Sequence, residues 1–341
     1  MKSPLHRLLL ALTAFCLALS AVAADMSLLS YDAPDRMARI VAAAKKEGTV
    51  TFYTSIAERD LSPLIKPFED KFSIKVLVWR AAADKVLQRA IAESNARKHA
   101  VDAIHAGSSD MEALAREKLL HPVNSPVHQD LVYVPGHREW AVTRLSVFVQ
   151  AFNTNLVKRE NLPKSYQDLL DPRWKGMLAV EETDYEWFAY VAEQAGGTKL
   201  FKDIVAKNGV SVRKGHTLLG NLVVAGEVPL ALTLYDYSVA QMKRKGSPID
   251  WIVIEPAVTR SNAVGIARNA PHPNAALLFY EYMLGEDAQK RLVNMDYVPG
   301  NTTVEPPERM RKMKLKLIDP VLALDQREQW EKTFLDTMAG R

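Results

Sequence analysis

The sequence has a single cysteine, Cys16, and this residue lies in an apolar segment near the start of the chain. That segment, residues 8–21, follows Lys2 and Arg7 and ends in small residues, which is the pattern of a cleavable export signal. We therefore expect residues 1–24 to be a signal peptide that directs the chain to the periplasm. Without them the protein has no cysteine, which excludes disulfides, a catalytic thiol and thiolate metal sites.

A second long apolar run is also missing, so no further segment is expected to cross a membrane. The sequence contains neither the nucleophile motif G-x-S-x-G nor the zinc motif H-E-x-x-H, and it has no glycine-rich phosphate loop. We therefore predict a binding protein and not an enzyme. A secreted α/β hydrolase is the remote alternative, because no nucleophile stands with a recognisable base.

Neither sign of charge dominates the chain. Lysine and arginine number 44 and aspartate and glutamate number 40, and both signs are spread along the sequence. This balance predicts that the protein has no nucleic-acid partner. We expect a monomer.

Short apolar runs alternate with amphipathic stretches, which is the pattern of an α/β fold with helices covering a mostly parallel sheet. Strands are predicted over residues 49–53, 74–79, 101–105, 146–152, 177–180, 228–235 and 249–254. Helices are predicted between them, over residues 60–71, 83–97, 111–118 and 238–245.

The exported chain, about 317 residues long, exceeds what one hydrophobic core usually organises, so two lobes are expected. No flexible linker is visible, and strands at residues 149–155 and 254–259 are therefore predicted to cross between the lobes. Lobe one is expected to comprise residues 25–148 and 258–310, and lobe two residues 149–257. The remaining C-terminal residues, 311–341, are expected to form helices that pack back on the lobes.

Two such lobes would enclose a cleft that closes around a ligand by hinge motion. In α/β sheets, ligands bind beyond the carboxyl ends of the strands. The predicted ligand-binding residues are therefore polar residues that follow strands or begin helices: Thr54, Ser55, Ser108, Glu182, Thr183, Asp184, Arg213, His216, Tyr235 and Tyr237.

Two hydroxyl residues are spaced from a glutamate as in a capping box, Ser109 with Glu112 and Thr183 with Glu186. Helix capping alone would account for these pairs. The acidic segment 181–184 already supplies negative charge at a helix start, so it favours a cationic ligand, a metal or a ligand with donor groups. An exposed acidic first turn is the alternative.

The segment Tyr235-Asp236-Tyr237 places two phenols around a carboxylate at a strand end. Phenolate and carboxylate are hard oxygen donors that suit ferric ion. Alternatively, Tyr237 packs under the following helix and Tyr235 only lines the cleft. The basic segment from Arg213 to His216 favours a carboxylate or phosphate ligand instead, unless it is a solvated turn.

The chain resembles the iron(III)-type extracellular solute-binding proteins of ABC importers along nearly its whole exported length. The resemblance is carried by the export signal and by the segments at residues 48–55, 152–155, 169–176, 226–230 and 270–276. It implies the type II periplasmic binding fold, two mostly parallel α/β lobes around a venus-flytrap cleft. Where ferric members of the family typically have two adjacent tyrosines, this sequence has Tyr235-Asp236-Tyr237.

The resemblance also implies a function. The chain is expected to capture ferric iron or a ferric complex and to deliver it to a permease at the inner membrane, with no cofactor required. The implied metal ligands are Tyr235, with Asp236 or Tyr237, and an acid from Glu182 or Asp184. A small organic or phosphorylated anion, such as a carboxylate, phosphonate or sugar phosphate, is the alternative ligand on the same scaffold.

Overall fold

The computed structural model of this 341-residue chain describes residues 25–133 and 136–338. The export signal predicted over residues 1–24 lies outside the described residues. Among residues 25–133 and 136–338, no helix has the length and apolar character that crossing a membrane requires.

Helices and strands alternate along the described chain, as the sequence pattern predicted. The α-helices are α1 (Arg36–Glu47), α2 (Glu58–Phe72), α3 (Ala83–Asn95), α4 (Ser108–Arg116), α5 (Tyr185–Gln194), α6 (Lys199–Asn208), α7 (His216–Ala225), α8 (Asp236–Arg244), α9 (Pro273–Leu284), α10 (Glu286–Asn294), α11 (Pro320–Asp325) and α12 (Arg327–Met338). The strands are β1 (Thr49–Thr54), β2 (Lys75–Arg80), β3 (Ala103–Gly107), β4 (Leu120–His121), β5 (Trp140–Asn153), β6 (Leu178–Glu181), β7 (Val210–Arg213), β8 (Leu230–Tyr235), β9 (Ile249–Ile252), β10 (Ala257–Ala267), β11 (Val298–Pro299) and β12 (Leu315–Leu317).

The longer strands follow one path in the order β2-β1-β3-β10-β5-β8-β6-β7. At one end β1 pairs parallel with β2 and β3, and at the other end β6 pairs parallel with β7 and β8. Strands β10 and β5 lie between these parallel groups and pair antiparallel with their neighbours. The predicted α/β class is therefore confirmed.

Strand β5 belongs to both halves of this path. Its residues 140–147 pair with β10, and its residues 148–153 pair with β8 and β9. All 14 residues of β5 are buried, as expected for a strand that runs through the middle of the molecule. The chain returns from β9 to β10 through residues 253–256. We keep the lobe limits, 25–148 with 258–310 and 149–257, as a proposal that fits these two connections.

The C-terminal segment contacts both halves of the molecule. Strand β12 pairs parallel with the start of β10. Arg327, at the start of α12, donates a hydrogen bond to Asp110 of α4 at 2.7 Å. Farther along α12, Phe334 packs edge-on against Phe188 of α5, with ring centroids 5.7 Å apart. The last helix therefore ties α4 to α5.

The sequence prediction missed β7 and most of β10, of which only residues 257–259 fell in a predicted connection. The centre of β10, from Thr259 to Asn262, is a run of polar residues that interrupts the apolar alternation by which strands are recognised. Strand β5 likewise begins at Trp140, six residues before its predicted start, because Thr143 and Arg144 interrupt its apolar run.

Both predicted capping boxes are wrong. Neither α4 nor α5 has a side-chain hydrogen bond at its N-cap. The Ser109 hydroxyl donates to Glu186 at 2.9 Å, and the Thr183 hydroxyl donates to Glu181 at 2.6 Å. Because Ser109 and Glu186 lie on different helices, this hydrogen bond joins α4 to α5.

A buried histidine, His105 of β3, predicts how stability depends on pH. Thr143 donates its hydroxyl proton to the Asn262 carbonyl, so His105 Nε2, 2.8 Å from that hydroxyl, must be the donor of a neutral imidazole. Burial, with a smaller contribution from the Arg144 charge, lowers the pKa of His105 to about 3.

We expect the free energy of unfolding to fall by about 2 kcal/mol between pH 7 and pH 5 because of His105 alone. The unfolded histidine titrates near its ordinary pKa of 6.5 and takes up a proton in this range, whereas the folded one does not. Urea unfolding at both pH values measures the loss. In the His105→Gln variant, whose amide keeps a donor for Thr143, the free energy of unfolding should fall by about 2 kcal/mol less between pH 7 and pH 5. The same fall in the variant and the unmodified protein would contradict a neutral His105 in the folded state.

Candidate functional site

Three parallel strands end side by side in the second half of the sheet. Because β6 pairs with both β7 and β8, the carboxyl ends of all three meet at one edge. Strand β6 ends at Glu181 and leads through Asp184 into α5, and β7 ends at Arg213 and leads into α7 at His216. Strand β8 ends at Tyr235 and leads directly into α8. Several of the predicted ligand-binding residues are therefore neighbours in space.

The imidazole of His216 lies between Asp184 and Tyr235. Its Nε2 is 3.1 Å from each oxygen of the Asp184 carboxylate, and its ring stacks on Tyr235 with centroids 4.3 Å apart. Burial lowers the pKa of His216, but the charge and hydrogen bond of Asp184, together with the Glu181 charge, outweigh burial and the net pKa is raised. Asp184 therefore orients the imidazole and favours its protonated form.

The phenols of Tyr235 and Tyr237 lie parallel at the end of β8, with ring centroids 5.7 Å apart. Burial raises the pKa of Tyr235 above its ordinary value of 10, whereas Arg260, which donates to the phenol oxygen at 3.2 Å, opposes this effect. Without a ligand Tyr235 is therefore a neutral phenol. A bound Lewis acid would be needed to convert it to a phenolate.

Arg260, on β10, reaches across from the first half of the sheet to the second. It donates to Tyr235 and forms an ion pair with Glu186 of α5 at 3.5 Å. Glu186 also accepts the hydrogen bond from Ser109. Burial opposes the positive charge, but Glu186 and Tyr235 outweigh it and hold the pKa of Arg260 well above its ordinary value.

A small polar cavity adjoins Arg260. Its polar lining comes from Ser108, Ser109, Glu186, Arg260 and Ser261, and part of the C-terminal segment from Ile318 to Ala323 closes one side. The buried hydroxyls of Ser108 and Ser261 are 2.7 Å apart.

A second arginine, Arg144 of β5, is buried beside Tyr237. Its guanidinium lies 5.5 Å from the centre of the Tyr237 ring and 4.3 Å from that of Tyr297. Among the described residues, neither Nε nor Nη1 of Arg144 has a hydrogen-bond partner. A buried guanidinium with unused donors is suited to bind a carboxylate or phosphate.

Asp236 stands between the two site tyrosines in the sequence, but its carboxylate oxygens both accept hydrogen bonds from protein donors. Its side chain is fully buried, with Oδ1 accepting from the Val147 amide at 3.2 Å and Oδ2 accepting from Arg309 at 3.0 Å. Burial raises the pKa of Asp236 to about 6, an increase that the Arg309 charge partly offsets. We therefore leave Asp236 out of the metal ligands that we propose.

Acidic and imidazole ligand atoms come together at the ends of β6 and β7. One atom each from Glu181, Asp184 and His216 lie within 4.8 Å of one another. The Glu181 carboxylate, however, already accepts hydrogen bonds from the backbone and hydroxyl of Thr183 and from the Gly215 amide. It holds the two loops together, and Asp184 and His216 are the members of this group better placed to bind a ligand.

Six predicted ligand-binding residues make no side-chain hydrogen bond or ion pair, among those described, with the side chains of Asp184, His216 and the two tyrosines. One of them, Ser108, lines the small cavity beside Arg260 and is hydrogen-bonded to Ser261. Thr54 is buried, and its hydroxyl accepts from the Ile56 amide within its own turn; Ser55 follows it. Glu182 lies 3.4 Å from the exposed Lys214, and the side chains of Thr183 and Arg213 are exposed. Their role in ligand binding stays a prediction.

Sequence reasoning missed Arg260 and Arg144. Each is a charged residue in a short polar interruption of an otherwise apolar strand. For Arg260 the interruption lies between Ala257-Val258 and Ala263-Val264. A charge in a buried strand requires a partner or a ligand, so this pattern could have identified both residues.

The family model described as "Bacterial extracellular solute-binding protein" matches residues 107–318. A curated relative, the "Fe(3+)-binding periplasmic protein" of Serratia marcescens, is 23% identical over 265 residues, which are 73% of this chain and 78% of the relative.

Solved structures of low sequence identity have the same fold. Iron-bound HitA from Pseudomonas aeruginosa is 20% identical, covers 83% of this chain and 98% of its own, and superposes with a TM-score of 0.71. The periplasmic binding protein AfuA from Actinobacillus pleuropneumoniae, solved with fructose-6-phosphate, is 20% identical, covers 86% of this chain and 99% of its own, and has a TM-score of 0.73. These likenesses confirm the predicted two-lobed periplasmic binding fold, and together with the family match they confirm the predicted resemblance.

Proposed function

Because this chain belongs to the bacterial extracellular solute-binding proteins, we propose that it is the substrate-binding component of an ABC importer and that it captures a ferric complex. The ligand lies between the two lobes, which close on it. The protein acts in the periplasm as a monomer, passes its ligand to an inner-membrane permease and catalyses no reaction.

The observation that carries this proposal is the row of stacked rings formed by His216, Tyr235 and Tyr237 beside Asp184. Two phenols and a carboxylate are hard oxygen donors, and they suit a hard trivalent cation. Ferric ion acidifies bound phenols, which offsets the effect of burial on the pKa of Tyr235. The Serratia marcescens relative is named as an Fe(3+)-binding protein and HitA was solved with iron bound, and both support iron as the metal.

The charges around the phenols favour a ferric complex over bare ferric ion. Arg260 contacts Tyr235, and Arg144 lies against the Tyr237 ring. The buried guanidinium of Arg144 and the largely buried guanidinium of Arg260 repel a trivalent cation unless an anion enters with it. We therefore propose that a carboxylate or phosphate of the complex binds Arg144 and Arg260 while the metal binds Tyr235, Tyr237 and Asp184.

A metal-free organic anion is the second candidate. The unused Nε and Nη1 donors of Arg144 favour it, since they suit a carboxylate or phosphate whether or not a metal is present. The fructose-6-phosphate bound to AfuA is a ligand of this class.

Adding ferric citrate to the ligand-free protein tests the proposal. We expect a visible tyrosinate-to-iron charge-transfer band and a rise in melting temperature, because a ligand that binds only the folded state stabilises it. Citrate alone and fructose-6-phosphate alone are the controls. No colour and no rise with ferric citrate would reject the metal, and a rise with either anion alone would then support the second candidate.

A further inference from the structure

Asp236 occupies an unusual place for an acidic residue at the first position of a helix. Such residues usually face water near the positive end of the helix dipole, whereas Asp236 is fully buried. Its sequence neighbours on both sides are the site tyrosines, Tyr235 and Tyr237. Any movement of Asp236 therefore moves the backbone that carries both phenols.

One oxygen of Asp236 holds this backbone to β5. Oδ1 accepts from the Val147 amide at 3.2 Å. Val147 pairs with Thr259 of β10, and the next residue, Phe148, pairs with Tyr235 of β8. The hydrogen bond therefore fixes the turn after Tyr235 to the point at which β5 passes from one half of the sheet to the other.

The other oxygen holds Arg309, which in turn holds the segment packed on Tyr237. Arg309 Nη2 donates to Asp236 at 3.0 Å, and Arg309 also donates to the backbone and side chain of Asp296. The residue after Asp296 is Tyr297, whose ring lies 4.2 Å from that of Tyr237. Tyr297 is itself fixed by donating to Asp60 at 2.6 Å.

We infer that Asp236 is a positioning residue for ligand binding: through Val147 and Arg309 it sets the separation and orientation of Tyr235 and Tyr237. It does not itself bind the ligand, because both of its oxygens are taken by protein donors. This inference rests on the proposed function of the two phenols.

The test compares three full-length variants, Asp236→Asn, Arg309→Gln and Arg244→Gln. The Asp236→Asn variant would keep an acceptor for the Val147 amide but lose the charge that holds Arg309. Arg244 pairs with Asp296 at 2.6 Å without contacting Asp236, and its replacement is the matched control. The readouts are the charge-transfer band with ferric citrate, the dissociation constant and the melting temperature.

We expect Asp236→Asn and Arg309→Gln to move the band in the same way and to weaken ferric citrate binding about 10- to 100-fold, as is usual for residues that support a ligand-binding side chain. The double variant should show little further change, since either single substitution already breaks the contact between the two residues. Arg244→Gln should leave the band in place. A normal band and affinity in Arg309→Gln would overturn the inference. A lower melting temperature in Asp236→Asn or Arg309→Gln with an unchanged band would also overturn it.

A second readout does not depend on iron. In ligand-free protein containing 3-fluorotyrosine, the fluorine resonances of Tyr235 and Tyr237, assigned with the Tyr→Phe variants, should shift in Arg309→Gln and stay in place in Arg244→Gln. Absence of the band in the unmodified protein would refute the ferric proposal but would leave this test valid. Resonances that do not shift in Arg309→Gln would refute the positioning role.

Discussion

Replacement of Tyr235 by phenylalanine is expected to abolish the visible band of the ferric complex and to weaken ferric citrate binding by at least about a hundredfold. Even residues that only support a metal ligand contribute about 10- to 100-fold to affinity, and Tyr235 is proposed to bind the metal directly. The phenol lies in the middle of the stacked row, between the His216 and Tyr237 rings. Its loss removes the hard anionic donor while keeping the stacked ring.

The fold should tolerate this substitution. The phenol oxygen accepts one hydrogen bond, from Arg260, and Arg260 keeps its ion pair with Glu186. The cost in free energy of unfolding is therefore about 1 kcal/mol. Tyr31→Phe is the matched control. The Tyr31 phenol donates a hydrogen bond to Asp35, the residue that precedes α1, and makes no described contact with His216, Tyr235 or Tyr237. A Tyr235→Phe protein that still turns coloured with ferric citrate would show that another group is the phenolate donor.

Replacement of Arg260 by methionine is expected to lower the free energy of unfolding by about 3 to 5 kcal/mol, the usual effect of removing one member of a buried ion pair. Glu186 is 3% exposed and would keep only the Ser109 hydroxyl as a hydrogen-bond partner. The double variant Arg260→Met/Glu186→Gln should recover most of this loss, because it no longer buries an unpaired charge. Urea unfolding of the unmodified protein, the two single variants and the double variant measures the coupling free energy between Arg260 and Glu186.

The exposed pair of Arg311 and Glu305 is the control for this cycle. These side chains are 52% and 78% exposed, so Arg311→Met should change the free energy of unfolding by no more than about 0.5 kcal/mol. If the double variant is no more stable than Arg260→Met, the ion pair with Glu186 is not the source of the effect. Loss of anion binding in Arg260→Met, measured separately, would support the proposed contact with the ligand.

Much of the fold was predictable because it depends on local patterns. Apolar runs and turn residues located the strands that later proved to be β1, β2, β3, β6, β8 and β9, and the family resemblance predicted the two-lobed fold. The principle that ligands bind at the carboxyl ends of strands brought Asp184, His216, Tyr235 and Tyr237 into one predicted site, and the structure places these four side chains together.

By itself, the sequence determined the positions of six strands and placed the two phenols at a strand end, because hydrophobic periodicity and the residue types at strand ends are properties of short segments. Only the tertiary structure decided which charges meet. Arg260 pairs with Glu186, and Asp236 pairs with Arg309, although the members of each pair are far apart in the chain. Local spacing predicted that Glu186 completes a capping box with Thr183, and the family resemblance implied Asp236 or Tyr237 as a metal ligand. Burial between the two halves of the sheet instead gave each carboxylate an arginine, since a buried charge needs a partner of opposite sign.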